Sequence, residues 1–116
     1  MRKETKKIAQ AFLRGEKAHA ARSSTNGDEL FLHGHCIAWK GGNDDVQFSF
    51  RNWPTNTTRD RINGVLDMFG YNFFGVSQRQ GEQWLVYKAE KVRILSTTGT
   101  AFCTGELDEL QKEMAA

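Results

Sequence analysis

The spacing of apolar residues changes period repeatedly along this chain, and that change restricts the fold more than any other feature of the sequence. Ile8, Ala11 and Phe12 recur at i, i+3 and i+4, the spacing of one helix face. Val46, Phe48 and Phe50 then alternate with Gln47, Ser49 and Arg51, the pattern of a strand with one buried face and one wet face. Ile62, Val65, Leu66 and Phe69 return to the helical period at i, i+3, i+4 and i+7. A chain that mixes the two periods in this order is neither a helical bundle nor a β-sandwich. It belongs to the α+β class, with helices packed on an antiparallel sheet.

Turn chemistry marks the boundaries. A basic helix spans about 4–17, with Gly15 near its end, and residues 19–29 read as a polar connection turning at Asn26-Gly27. Leu30-Phe31-Leu32 and Cys36-Ile37-Ala38-Trp39 are strands around a tight His33-Gly34-His35 reversal, and Gly41-Gly42-Asn43-Asp44 is the next turn. Pro54 ends the sheet. Thr57 with Asp60 forms a capping box for the second helix, and Gly70 takes its left-handed terminal position. Residues 73–80 and 83–88 form a hairpin around Gln80-Gly81, and Val92, Ile94 and Ala101-Phe102 add edge strands. Thr104 caps an acidic helix over about 105–115, with Leu107, Leu110 and Met114 on one side. The predicted order is α-βββ-α-ββ(β)-α, with one antiparallel sheet of five to six strands and a single domain over 1–116.

Composition narrows the function classes. A chain of 116 residues buries roughly two-thirds of its unfolded surface, enough for one modest core. It has no run of 18 apolar residues, so no membrane span or membrane partner is expected. Arg2, Lys3, Lys6, Lys7, Arg14 and Lys17 interrupt the first stretch and exclude a secretory signal. Two cysteines, Cys36 and Cys103, are too few for a secreted scaffold and read as free thiols in a reducing cytoplasm. Net charge is only +2, yet residues 1–27 hold seven Lys/Arg and two acids, whereas 105–116 hold one Lys and four acids. Such asymmetry marks either a basic arm for acidic partners or two solvated helix faces.

Several stretches together carry a resemblance. Ala11-Phe-Leu-Arg-Gly15, Thr25-Asn-Gly-Asp-Glu-Leu-Phe-Leu-His-Gly34, Ile37-Ala-Trp39, Asn52-Trp-Pro-Thr55 and Thr57-Thr-Arg-Asp-Arg-Ile-Asn-Gly64 resemble small uncharacterised proteins encoded by bacteriophages and prophages. A weaker echo continues at Val76-Ser-Gln-Arg-Gln-Gly81 and Trp84. The resemblance covers residues 7–87, and the tail from Val92 reads as an addition. It implies expression in a bacterial host and transfers no catalytic residue.

The chemistry-bearing residues divide into weak constellations. His33, His35, Cys36 and Cys103 are a conceivable zinc set, but strand alternation points 33 and 35 away from 36 and no Cys-x-x-Cys supports it. Cys103 before a helix has no hydrolase signature around it, and Gly41-Gly42 lacks the Lys-Ser/Thr of a phosphate loop. No catalytic residue, metal or cofactor is therefore expected. Thirteen aromatics exceed what one small core hides, so protein binding is the leading expectation, with Trp53, Arg59, Arg61 and Tyr71 as contact residues. A host protein is the expected partner, and a homodimer through a sheet edge is also open. The alternative is nucleic-acid binding through Lys3, Lys6, Lys7, Arg14, Arg59 and Arg61. On this reading, replacing Arg59 and Arg61 together by alanine barely changes stability.

Leu66 is the centre of the longest apolar stripe. Leu66→Ala is expected to cost about 2–5 kcal/mol in a urea melt. A loss under about 1 kcal/mol would place this helix away from the core.

Overall fold

The apolar spacing of the N-terminal segment becomes α1 (Lys3–Arg14), which buries Thr5, Ile8, Ala9 and Phe12. Ala9 takes the place expected of Ala11, which is half-buried. The computed structural model describes residues 2–115. In chain order, α1 is followed by β1 (Ala18–Ala20), β2 (Ser23–Thr25), β3 (Glu29–Leu32), β4 (His35–Lys40) and β5 (Val46–Phe48). Next come α2 (Asn56–Met68), β6 (Phe74–Arg79), β7 (Glu82–Tyr87), β8 (Glu90–Ile94), β9 (Phe102–Cys103) and α3 (Thr104–Ala115). The fold is α+β, as the mixed periods require.

The strands form two antiparallel sheets where one was expected. The larger has the order β1-β2-β3-β4-β5-β9 and the smaller β6-β7-β8. The predicted meander of 30–50 is β3, β4 and β5, with Ala38 opposite both Leu30 and Phe48. The hairpin at Gln80-Gly81 is also found, with Arg79 opposite Glu82. What divides the sheets is α2. Its Asn63 side chain accepts from Val76 N–H at 2.7 Å and donates to Val76 O at 3.1 Å, occupying the edge of β6 as a strand would. Gly75 makes room, since a Cβ there would sit 3.3 Å from Asn63 Oδ1.

Residues 19–29 were expected to be a polar connection, but 18–25 are a hairpin. The apolar pattern misses them because Ser23 and Thr25 are buried through their hydroxyls. Thr25 Oγ1 donates to Glu29 O at 2.7 Å and accepts from Gly27 N–H at 3.0 Å. Gly27 lies against the end of α1, where a Cβ would approach Gly15 O to 2.5 Å. Lys40 Nζ closes that end by donating to Phe12 O at 2.6 Å and Gly27 O at 2.8 Å. A cation on the last carbonyls of a helix satisfies acceptors and opposes its dipole.

The cap of α2 also differs from expectation. Thr55, not Thr57, is the N-cap, and its hydroxyl accepts from Thr58 N–H at 3.2 Å. Asp60 is thereby released from capping. At the other end Gly70 is left-handed as predicted, with Tyr71 N–H reaching Leu66 O at 2.8 Å. The apolar cluster joins both sheets and the helices: Phe12, Leu30, Phe48, Phe50, Leu66, Leu85, Phe102 and Leu107 all belong to it.

Arg61 is the principal correction. It is 2% exposed, out of reach of any partner. Its Nε donates to Ser23 Oγ at 2.8 Å, and its Nη1 donates to Thr5 Oγ1 and to Asp60 Oδ2, the latter at 3.1 Å. Thr5 Oγ1 donates in turn to Asp60. Helix α1, helix α2 and strand β2 thus meet on one guanidinium. Removing one side of a buried charged pair leaves its partners unsolvated. Arg61→Ala is expected to cost about 2–4 kcal/mol in a denaturant melt, more than Arg59→Ala and contrary to the surface reading of both. Equal, small losses for the two would show the guanidinium to be dispensable.

Candidate functional site

Two tight turns face each other across the end of the larger sheet. The first joins β3 to β4 at His33 and Gly34, whose φ values of 52° and 80° belong to a two-residue hairpin turn. It is tied to β2 by His33 N–H donating to Arg22 O at 2.9 Å and leaves both histidines exposed. The second follows Phe50, where Arg51 and Asn52 are consecutively left-handed with φ of 49° and 66°. That conformation costs a residue with a Cβ roughly 1–2 kcal/mol. It is held by Arg51 N–H on Ser49 Oγ at 3.1 Å, Asn52 N–H on Thr97 O at 2.7 Å and Arg51 Nε on Cys36 O at 2.6 Å. The turn throws Trp53 outward, leaving it 60% exposed.

Between the turns lies a cleft of about 450 Å³. Leu32, Ile37 and Phe50 form its apolar floor, and Thr55, Thr57 and Thr58 form the wall where α2 begins. Trp53 and His35 stand at its mouth with ring centroids 6.4 Å apart. A space of this size accepts one large apolar side chain or a small aromatic molecule. Its lining holds no carboxylate, thiol or amine.

The expected contact residues do not converge on this cleft. Trp53 is there. Arg59 lies on the far side of the same segment, and its guanidinium donates to Pro54 O at 2.7 Å, Gln83 Oε1 at 2.9 Å and Gln78 Oε1 at 3.1 Å, and to Asn56 Oδ1. It braces the Trp53-Pro54 segment and lines an open polar groove with Arg2, Asn63 and Gln78. Its partial burial lowers its pKa from the ordinary arginine value. Tyr71 lies at the other end of α2, where its O–H donates to Asp108 Oδ1 at 2.8 Å. Lys3, Lys6, Lys7 and Arg14 are exposed on α1. Sequence reasoning weighed His35 as a metal ligand, as a base for Cys103 or as a turn residue, and missed Phe50 and the three threonines as parts of a cleft.

The other constellation also disperses. Cys36 and Cys103 are both free, and Cys103 lies on β9, separated from β4 by β5. Burial pushes the Cys36 thiol up, Glu29 adds to this, and Arg51 offsets part of it, the opposite of what a nucleophile needs. Among the described residues, no three His, Cys, Asp or Glu side chains come together to hold a metal ion. No helix is long and apolar enough to cross a membrane among these residues.

A protein-family model described as Kyanoviridae Gp96 protein matches residues 1–107. The chain belongs to that family. Its members are phage proteins of uncharacterised function, in agreement with the resemblance read from the sequence. The match includes both turns of the cleft and extends past Val92, so β8, β9 and the first turn of α3 are part of the family pattern, not an addition. Neither a curated protein nor a solved structure matches the chain.

Tyr71 offers a test of the contact between α2 and α3. Burial first, and the hydrogen bond to Asp108 second, push its pKa up to about 12. A phenol normally ionises near pH 10, so the folded state holds this proton more tightly than the unfolded chain. Its stabilisation is complete below about pH 10 and is lost as pH rises through about 12. Ultraviolet titration is expected to show a phenolate step near that upper value, absent in Tyr71→Phe, whose stability falls less across the same window. An unchanged titration in the variant would dissociate Tyr71 from Asp108.

Proposed function

We propose that this phage protein acts without catalysis, by stoichiometric binding to a host protein in the host cytoplasm, as an inhibitor or adaptor. The observation that carries this reading is Trp53, 60% exposed at the mouth of an apolar cleft of about 450 Å³. Tryptophan is enriched among the few residues that dominate protein interfaces, because it buries a large rigid area at low entropic cost. The partner's apolar side chain enters over Phe50, Ile37 and Leu32, with Trp53 and His35 closing on it. Arg59, through Pro54 O, fixes the segment that presents the indole.

The nucleic-acid reading is weaker. Arg61 is withdrawn into the interior and Arg59 is engaged by four acceptors, so of the six residues expected to contact phosphates Lys3, Lys6, Lys7 and Arg14 on α1 remain.

The test begins with a tagged chain in nuclease-treated bacterial lysate, followed by titration of the retained protein against the wild type and Trp53→Ala. A discrete partner is expected to survive nuclease. Trp53→Ala is expected to weaken it at least about 30-fold, the effect of losing about 2 kcal/mol, with an unchanged melting curve. Recovery that disappears with nuclease, or affinity that falls steeply with salt, would transfer the function to nucleic acid.

A further inference from the structure

Helix α3 is anchored at one end only. Thr104 Oγ1 accepts from Val46 N–H at 2.9 Å, and Leu107 is fully buried. Glu106 accepts from Arg93 Nε at 2.5 Å and Nη2 at 2.6 Å, which ties the helix to β8 and raises the arginine pKa. Past Asp108 Leu110 still packs one side against the core, while Glu109, Gln111, Lys112, Glu113 and Met114 are exposed, Met114 at 41%. The helix remains amphipathic there. Leu107, Leu110 and Met114 follow at i, i+3 and i+7, with Glu106, Glu109 and Glu113 at the same spacing along one flank. A short helical segment without tertiary packing is marginal in water.

Helix α1 presents the complementary surface. Lys3, Lys6, Gln10 and Leu13 share a stripe at i, i+3, i+7 and i+10, with Lys7 and Arg14 beside it. Leu13 is 41% exposed. Among the described residues none of the four cations Lys3, Lys6, Lys7 and Arg14 is paired with a carboxylate, and Glu4 is the sole acid in the helix. Each face sets an apolar residue among charges mostly of one sign, acidic on α3 despite the Lys112–Glu109 pair at 3.8 Å and basic on α1 despite Glu4, and the prevailing signs are opposite.

We propose that the distal half of α3 docks on the basic face of α1 in a second copy of the chain. Leu110 and Met114 meet Leu13, while Glu109 and Glu113 meet the lysines and Arg14. Because every copy carries both faces, two such contacts related by a twofold axis close into a dimer. An apolar centre with a charged rim is the ordinary anatomy of a protein interface. Among the sheet edges, Asn63 occupies β6 at Val76 and β1 and β9 offer only three and two residues, which leaves the five-residue β8 as the edge where strand pairing competes with this contact. The dimer uses a surface separate from the Trp53 cleft and stands independently of the proposed function.

The test is sedimentation equilibrium of the full chain between about 10 μM and about 1 mM, at low and high salt, the range suited to a small interface. A dimer is expected at low salt, weakened at least tenfold at high salt as screening removes the rim attraction. Two variants reverse exposed charges: Lys3→Glu with Lys6→Glu and Lys7→Glu, and separately Glu109→Lys with Glu113→Lys. Each alone is expected to be a folded monomer by circular dichroism, and an equimolar mixture of the two is expected to dimerise again. A monomer under all conditions, or a dimer indifferent to both reversals, would overturn the proposal. Binding of a short oligonucleotide by the α1 lysines, with no self-association, would overturn it too and assign that face to nucleic acid.

Discussion

A guanidinium buried where two helices and a strand meet is the interaction on which the arrangement of this molecule depends. Taking the Arg61 charge out of water costs several kcal/mol even after relaxation, and only a full set of partners offsets it. Thr5 on α1, Ser23 on β2 and the neighbouring Asp60 on α2 supply that set. Apolar side chains tolerate sliding, because one hydrophobic contact resembles another. A forked cation does not. Shifting α1 by a turn would carry Thr5 away from the guanidinium and leave the charge unmet. The same contact draws the hydroxyl-bearing strand β2 into the core edge, which explains why a segment with so little apolar content is part of the larger sheet.

Asn63 performs a related task on the next turn of the same helix. Its amide offers one donor and one acceptor, the complement of a single edge residue, and Val76 uses both. The smaller sheet is therefore held to α2 through hydrogen bonds, while Val76 and Leu85 add apolar packing from within. Helix α2 thereby orders three things at once: α1 through Arg61, the smaller sheet through Asn63, and the Trp53 segment through Arg59 and the Thr55 cap. The threonine wall of the cleft at its N-terminus inherits its position from these contacts, while the two turns form the mouth.

What the sequence made legible follows from periodicity. Val46, Phe48 and Phe50 announce a half-buried strand, and Ile62, Val65 and Leu66 a buried helix face, because both patterns are written in apolar residues. The hairpin at 18–25 was hidden because Ser23 and Thr25 are buried by hydrogen bonding, which leaves no hydrophobic trace. Arg61 was misread as surface on account of its charge, although Thr58, Arg61, Ile62 and Val65 fall at i, i+3, i+4 and i+7, which places the arginine within the stripe. The cap shifted from Thr57 to Thr55 since either threonine satisfies the local pattern, and only the demand for Asp60 elsewhere separates them. The cleft itself was illegible. It is made by two turns distant in sequence, and no local rule brings His35 and Trp53 together.

The cleft also stands beside a backbone conformation that stability alone would not select, one shared with Lys88-Ala89 at the turn between β7 and β8. Arg51 and Asn52 are left-handed in succession without a glycine, and three separate hydrogen bonds hold them so. The immediate result of that strain is an exposed indole above an apolar hollow, a doubly unfavourable arrangement in water. Strained backbone persists where the surrounding structure over-determines it, and it concentrates at sites of recognition. A glycine at either position would relieve the turn, and a polar residue at 53 would remove the exposed surface. The α1 and α3 faces involve no such strain, only side chains of opposite charge on regular helices. The family match covers the strained turn and runs to residue 107, the last buried position of α3 among the described residues. The physical distinction is therefore between a cleft shaped by strained backbone within the matched residues and a surface of regular helices that needs no such strain.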